Sequence, residues 1–213
     1  MIPRTPDFLV AEDRVKVSHF TRQGFDLGTV VHVGASTGLE AVYYLRLGSP
    51  RVLLFEPLPL AVEILRGRFG NDPRVAIFPF ALGDHSHSTH MAPGEGTGKG
   101  STCLREYANE HVPWLPVECL RFDQLDLHCE LDPSGMNTLV VDVQGMELQV
   151  LRGFGEQLQH FSFLNIECSA IPLYDGEATG NEVTEWLYQR GFDRQTPIEA
   201  HDDVMFIRRG LKP

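Results

Sequence analysis

The chain has 213 residues, 42% of them hydrophobic and 22% charged, which is enough apolar material for the core of one large α/β domain. Twenty-nine acids against 18 bases give a net charge of −11, the wrong sign for a chain that grips nucleic-acid phosphates or an anionic membrane. No apolar run approaches the roughly 20 residues that a membrane span needs, so an acidic protein acting on a neutral or cationic small molecule is expected.

Residues 1–26 form a lead-in, expected as a helix over about 8–24 that covers a sheet; Met1-Ile-Pro-Arg-Thr-Pro6 has no basic-then-apolar signal pattern. Leu27–Val33 reads as the first strand and Leu39–Leu47 as its helix, stopped by Gly48-Ser49-Pro50. Val52–Phe55 is a second strand, Pro57–Phe69 a helix ending at Gly70-Asn71, and Val75–Phe80 a third strand. The rhythm then breaks: residues 83–102 hold Gly83, Gly94, Gly96, Gly98 and Gly100 among Ser, Thr and His. At about 1 kcal/mol per Gly relative to Ala no helix persists there. Residues 84–102 are expected to be a lid over a site at the strand ends, the plainer alternative being a surface hairpin.

Leu115–Leu120 reads as a short strand and Arg121–Leu127 as a short helix. Thr138–Val143 and Ser162–Cys168 are buried strands, Met146–Leu151 a helix ending at Gly153, and Asn181–Arg190 a helix stopped by Gly191. Asp203–Arg208 closes the chain as a strand. Strands alternating with helices imply a Rossmann-like α/β fold, a mostly parallel, doubly wound sheet with helices on both faces. Residues 1–213 read as one domain. The four cysteines (Cys103, Cys119, Cys129, Cys168) show neither a disulfide framework nor metal-ligand spacing, so a cytoplasmic protein with reduced thiols is expected.

The turn after the first strand, Gly34-Ala-Ser-Thr-Gly38, points to a nucleotide-like ligand at the end of the sheet. It lacks the second glycine of a dinucleotide fingerprint, which counts against a nicotinamide dehydrogenase, and no triphosphate loop occurs anywhere. Glu56 ends the second strand about 20 residues further on, where an acid takes hydrogen bonds from ribose hydroxyls. An adenosine cofactor without pyrophosphate, such as S-adenosylmethionine (SAM), fits these features. A bare structural turn would use the same glycines.

Asp142 and Glu167 each end an apolar strand, and a carboxylate there needs a partner. If the two strands are neighbours, both acids face one crevice and can hold an acceptor hydroxyl; the alternative for Asp142 is a helix N-cap. His201, just before the last strand, is either a general base over the site or a turn histidine. His85, His87 and His90 are expected on one strand face, as a metal-binding trio or, more commonly, a solvated polar face.

Val31-His-Val-Gly-Ala-Ser-Thr-Gly-Leu39, Phe55-Glu-Pro57, Ala81-Leu-Gly-Asp84, Leu139-Val-Val-Asp-Val-Gln-Gly-Met-Glu147 with Val150-Leu-Arg-Gly153, and Asn165-Ile-Glu167 occur in one order. That order resembles the FkbM-type SAM-dependent methyltransferases over roughly residues 25–209. The resemblance implies a class I methyltransferase that methylates a hydroxyl oxygen of a sugar or secondary metabolite. It implies cofactor contacts from His32, Gly34, Ala35, Ser36, Gly38, Glu56, Pro57, Ala81, Leu82 and Asp142. It places Asp142 and Glu167 about the reacting atoms, with Asp84 near the adenine or capping its turn; His201 joins the catalytic candidates by its place before the last strand, outside the matched motifs. Two positions depart from the pattern: His32 stands where the family has an acid that helps hold the cofactor's amino group, and Gln144 where it has Glu. These departures keep a non-catalytic nucleotide-binding or scaffold protein open as the alternative. A divalent metal, the acceptor and the oligomeric state are not fixed by these residues.

Overall fold

A computed structural model describes residues 17–94, 101–104 and 114–211. Helix α1 spans Ser18–Arg22; the rest of the expected lead-in helix lies outside the described residues. Strand β1 (Thr29–Val33) is buried along its whole length, then α2 (Ala41–Arg46), β2 (Arg51–Phe55), α3 (Pro59–Phe69) and β3 (Val75–Phe78) follow. After them come β4 (Ala81–Leu82), β5 (His87–Met91), β6 (Leu115–Leu120), β7 (Asn137–Val141), α4 (Glu147–Gly153), β8 (Phe161–Ser169), α5 (Gly180–Tyr188), β9 (Phe192–Arg194) and β10 (His201–Arg208).

Seven strands form one sheet in the order β3-β2-β1-β7-β8-β10-β9. The first five are mutually parallel, and β10 runs antiparallel to both β8 and β9. Side chains of successive residues leave opposite faces, so each strand feeds two cores. Val31, Val33, Leu53, Phe55, Leu139 and Val141 pack with α4 and α5. Val30, Val52, Leu54 and Val140 pack with α1, α2 and α3 through Phe20, Tyr44, Leu65 and Phe69. From β1 the chain turns outward to β2 and β3, whereas β7 and β8 continue on its other side. That reversal opens a crevice at the carboxyl ends of β1 and β7, where ligands of open α/β sheets lie.

A second, three-stranded sheet has the order β4-β6-β5. It corrects two expectations. The third strand ends at Phe78, because Pro79 has no N–H to continue the ladder, and Ala81-Leu82 pairs with β6 instead. The expected lid is in part an ordered strand: His87–Met91 pairs antiparallel with Leu115–Leu120, and Ala92 bridges Thr102. Parity in β5 puts His90 on the face opposite His87, so the three histidines do not share a face. No cluster of three or more potential metal ligands occurs among the described residues. The expected helix over 121–127 contracts to a single 3-10 turn at Phe122–Gln124. Among the described residues no helix is long and apolar enough to cross a membrane. The basic pair is spent locally: Arg208 donates to the Phe161 and Leu158 carbonyls, and Arg209 pairs with Asp193.

Candidate active site

A cavity of about 510 Å³ opens at the carboxyl edge of the large sheet, within the roughly 300–1,000 Å³ usual for small-molecule sites. On the β2 side its wall holds Glu56 and Pro57 with Ala81, Leu82 and Met91, Gly34 and Ser36 follow β1 in the middle, and on the β7 and β8 side it holds Asp142, Gln144, Met146, Glu167 and His201.

The turn after β1 has φ +84° at Gly34. A Cβ there would lie 1.8 Å from the Asp142 carbonyl oxygen, so glycine is required by a strand-to-strand approach at the switch point. Gly38 has φ +72°, and a Cβ would meet Leu65 and Phe69 at 2.6 Å; it seats α3 and does not line the cavity. Two amides of the turn are spent within the fold: Gly34 and Ala35 N–H both donate to the Phe55 carbonyl. Ser36 N–H donates to Glu56 Oε2 at 2.8 Å, and Leu58 N–H to Glu56 Oε1 at 2.8 Å. Glu56 is thereby fixed at the cavity wall with lone pairs to spare on both oxygens. Burial pushes its carboxyl above the usual range, against the pull of those two N–H donors. Pro57 lines the cavity but does not start the helix; Pro59 does, its fixed φ suiting the first helical position.

His32 and Ala35 do not line the cavity. His32 leaves β1 on the α2 side, with Nδ1 3.3 Å from the Tyr44 hydroxyl and Nε2 3.5 Å from Glu40. Burial lowers its pKa to about 4, keeping the ring neutral. Spacing along the motif placed His32 at the site; strand alternation turns it to the other face. Asp84 is also away from the cavity, paired with His85 at 2.6 Å.

Asp142 directly follows β7 and Glu167 stands on the adjacent parallel strand β8, and one group joins them. Gln144 Nε2 donates to Asp142 Oδ1 at 2.8 Å and to Glu167 Oε2. Burial, and then the Asp142 charge, push the Glu167 carboxyl up to about 10. His201 opens β10, 34% exposed in its side chain, with Nε2 3.1 Å from Glu167 Oε1 and Nδ1 2.8 Å from Ser169 Oγ. It is therefore a cavity residue tied to Glu167, not a turn histidine. Asp142 is not a helix cap: the N-cap of α4 is Met146, with no side-chain cap bond. Glu147, the first residue of α4, braces the loop before the helix, a role the motif contained without revealing it. Only 4% exposed, it accepts from Val143 and Gly145 N–H, and burial lifts its pKa to about 7. Tyr174 and Thr102, the other partners of Gln144, carried no sequence signal, because each contact joins positions at least 30 residues apart.

The residues present suit SAM: a buried carboxylate for a diol, the apolar Ala81, Leu82 and Met91 for a base, and acids at the far end for an acceptor. A family model described as the methyltransferase FkbM domain matches residues 32–194. The chain is similar to the 2-O-methyltransferase NoeI of Sinorhizobium fredii, 26% identical over 190 residues that cover 83% of this chain and 77% of that one. Among solved structures, Aeropyrum pernix fibrillarin with natively bound SAM aligns with a TM-score of 0.53 at 11% identity, over 92% of this chain and 76% of its own. A Streptococcus agalactiae protein of the NADB-Rossmann superfamily aligns at 0.50 and 10% identity, over 93% and 69%. At these identities the structures establish a shared fold, and the family match goes further: this chain belongs to the FkbM methyltransferases.

Proposed function

We propose that this chain moves the methyl group of SAM to a hydroxyl oxygen of a small molecule, a sugar or a secondary-metabolite alcohol. The observation that carries the reading is the pair Asp142 and Glu167, side by side at one end of a cavity whose other end holds Glu56. The relation to a 2-O-methyltransferase supports oxygen as the accepting atom, and the net charge of −11 favours an acceptor without phosphates. Glu56 would hold the ribose diol, Gly34, Ser36 and Pro57 would border the cofactor, and Ala81 and Leu82 would flank the adenine. Bound SAM supplies a methyl carbon already activated by the sulfonium charge.

The protein then has two tasks, aligning the acceptor and taking its proton. Asp142 takes the proton. Glu167, protonated near neutral pH, adds no second charge and can hydrogen-bond the acceptor oxygen. His201, on Glu167, reaches the cavity as an outlet for the proton.

Methyl transfer from labelled SAM to a panel of sugars and polyketide alcohols tests the reaction. Asp142→Asn should lose most turnover, roughly a hundredfold or more for a lost base, while SAM affinity in calorimetry largely survives. Wild-type turnover in that variant removes Asp142 as the base.

A further inference from the structure

We infer that Gln144, held by Tyr174, is a positioning residue whose amide grips Asp142 and Glu167 together and sets the geometry in which that pair takes the acceptor's proton. The inference rests on the proposed transfer to a hydroxyl. A single nitrogen with two hydrogens faces both carboxyl groups. The reverse orientation would turn the amide oxygen on the Asp142 carboxylate, which only accepts. The Tyr174 hydroxyl donates to that oxygen at 2.9 Å, which locks the orientation and makes the NH2 a stronger donor.

The backbone is fixed as tightly. Gln144 has φ +55°, a left-handed conformation that a residue with a Cβ rarely adopts. Its carbonyl accepts from Thr102 Oγ1 at 2.6 Å. Next to it, Gly145 has φ +103° and lies so close to the Tyr174 ring that a Cβ would come within 2.8 Å. Strain of this kind persists only where the surroundings over-determine it. Here it aims the amide between the two acids.

The pair sits among other titratable groups: Glu56, Glu40 and His32 on the β1 and β2 side, Glu147 on α4, and Asp203 and His201 on β10. Most are acids, so an uncharged donor between Asp142 and Glu167 lets the negative form persist where another acid would raise its cost.

Tyr174→Phe keeps the ring and removes the hydroxyl. Gln144→Asn suits a left-handed backbone but withdraws the amide by one methylene. Tyr174→Phe should lower kcat roughly two- to tenfold, the worth of one hydrogen bond, with the KM for SAM unchanged. A weaker donor leaves the charged pair less stabilised, so the acidic limb of the kcat/KM profile should move up by roughly 0.5–1 pH unit. Gln144→Asn should move it further, and the double variant should match Gln144→Asn alone, because Tyr174 acts through the amide. Carboxyl 13C NMR titration of the same proteins, free of acceptor, should give the same order of midpoints. If wild type transfers no methyl yet the midpoints shift in this order, the oxygen-methylation reading fails and the positioning role stands. Coincident midpoints for Tyr174→Phe and wild type, or additive effects in the double variant, overturn the positioning role.

Discussion

Replacing Glu56 by Gln separates what the carboxylate does for the fold from what it does for a ligand. The two Glu56 oxygens accept Ser36 N–H and Leu58 N–H at 2.8 Å each. Gln has one oxygen, so one of these backbone donors must face an NH2 group. The loss is one hydrogen bond to a charged acceptor, about 1.5–3 kcal/mol. Part of it is offset, because burial already disfavours the Glu56 charge. A net destabilisation of about 1–2 kcal/mol remains, which for a chain of this size lowers Tm by roughly 2–8 °C. Ligand affinity adds a separate loss: a ribose diol would give up its charged acceptor, worth roughly a 10- to 100-fold increase in Kd for SAM. Scanning calorimetry measures the first quantity and titration calorimetry the second. A Kd within about threefold of wild type, alongside the expected fall in Tm, would leave Glu56 as a brace of the turn and remove it from the ribose subsite. An unchanged Tm would refute the account of its two backbone bonds.

Two further outcomes follow from buried groups. Glu147 is an acid whose folded pKa, about 7, lies above the 4.5 usual for a free glutamate, so the folded state binds the proton more tightly and stability falls as pH rises from about 4.5 to about 7. Glu147→Gln should flatten that decline by up to roughly 3 kcal/mol, read from urea midpoints across the window; an unaltered slope would mean the carboxyl is solvated. Gly34→Ala places a Cβ 1.8 Å from the Asp142 carbonyl at φ +84°, and should cost at least about 3 kcal/mol in thermal unfolding. A Tm equal to wild type would show that β1 and β7 can part there freely.

The sequence made the parallel frame readable because its strands are buried on both faces: Val30-Val31 and Val52-Leu53-Leu54-Phe55 are apolar without alternation. What escaped was short or polar. Strand β5 reads His-Ser-Thr-His-Met and passes for a solvated loop, and β9 is three residues long; both are ordered by partners distant in sequence. In the site, position along a motif located Glu56, Asp142 and Glu167 because each lies at or near the carboxyl end of a buried strand. It misplaced His32 and Gly38, since spacing does not tell which face a side chain takes or whether a glycine makes room for ligand or for Phe69. Gln144 stood out as a departure from a pattern, but its hold on two acids needed Tyr174, whose approach only the fold supplies.

The walls of the cavity come from two sheets whose strands pair separately. The parallel sheet contributes the charged and hydrogen-bonding groups, and the small sheet contributes Ala81, Leu82 and Met91. Carboxylates discriminate through bonds that an ill-placed atom breaks outright, whereas an apolar wall discriminates by shape, at only about 1–3 kcal/mol per methylene. Tolerance to change is therefore divided along the same seam. Substitutions in β4, β5 and β6 can reshape the pocket while the chemical edge keeps its register. Diversification of what this scaffold accepts, by descent or by laboratory selection, has its cheapest path through the small sheet.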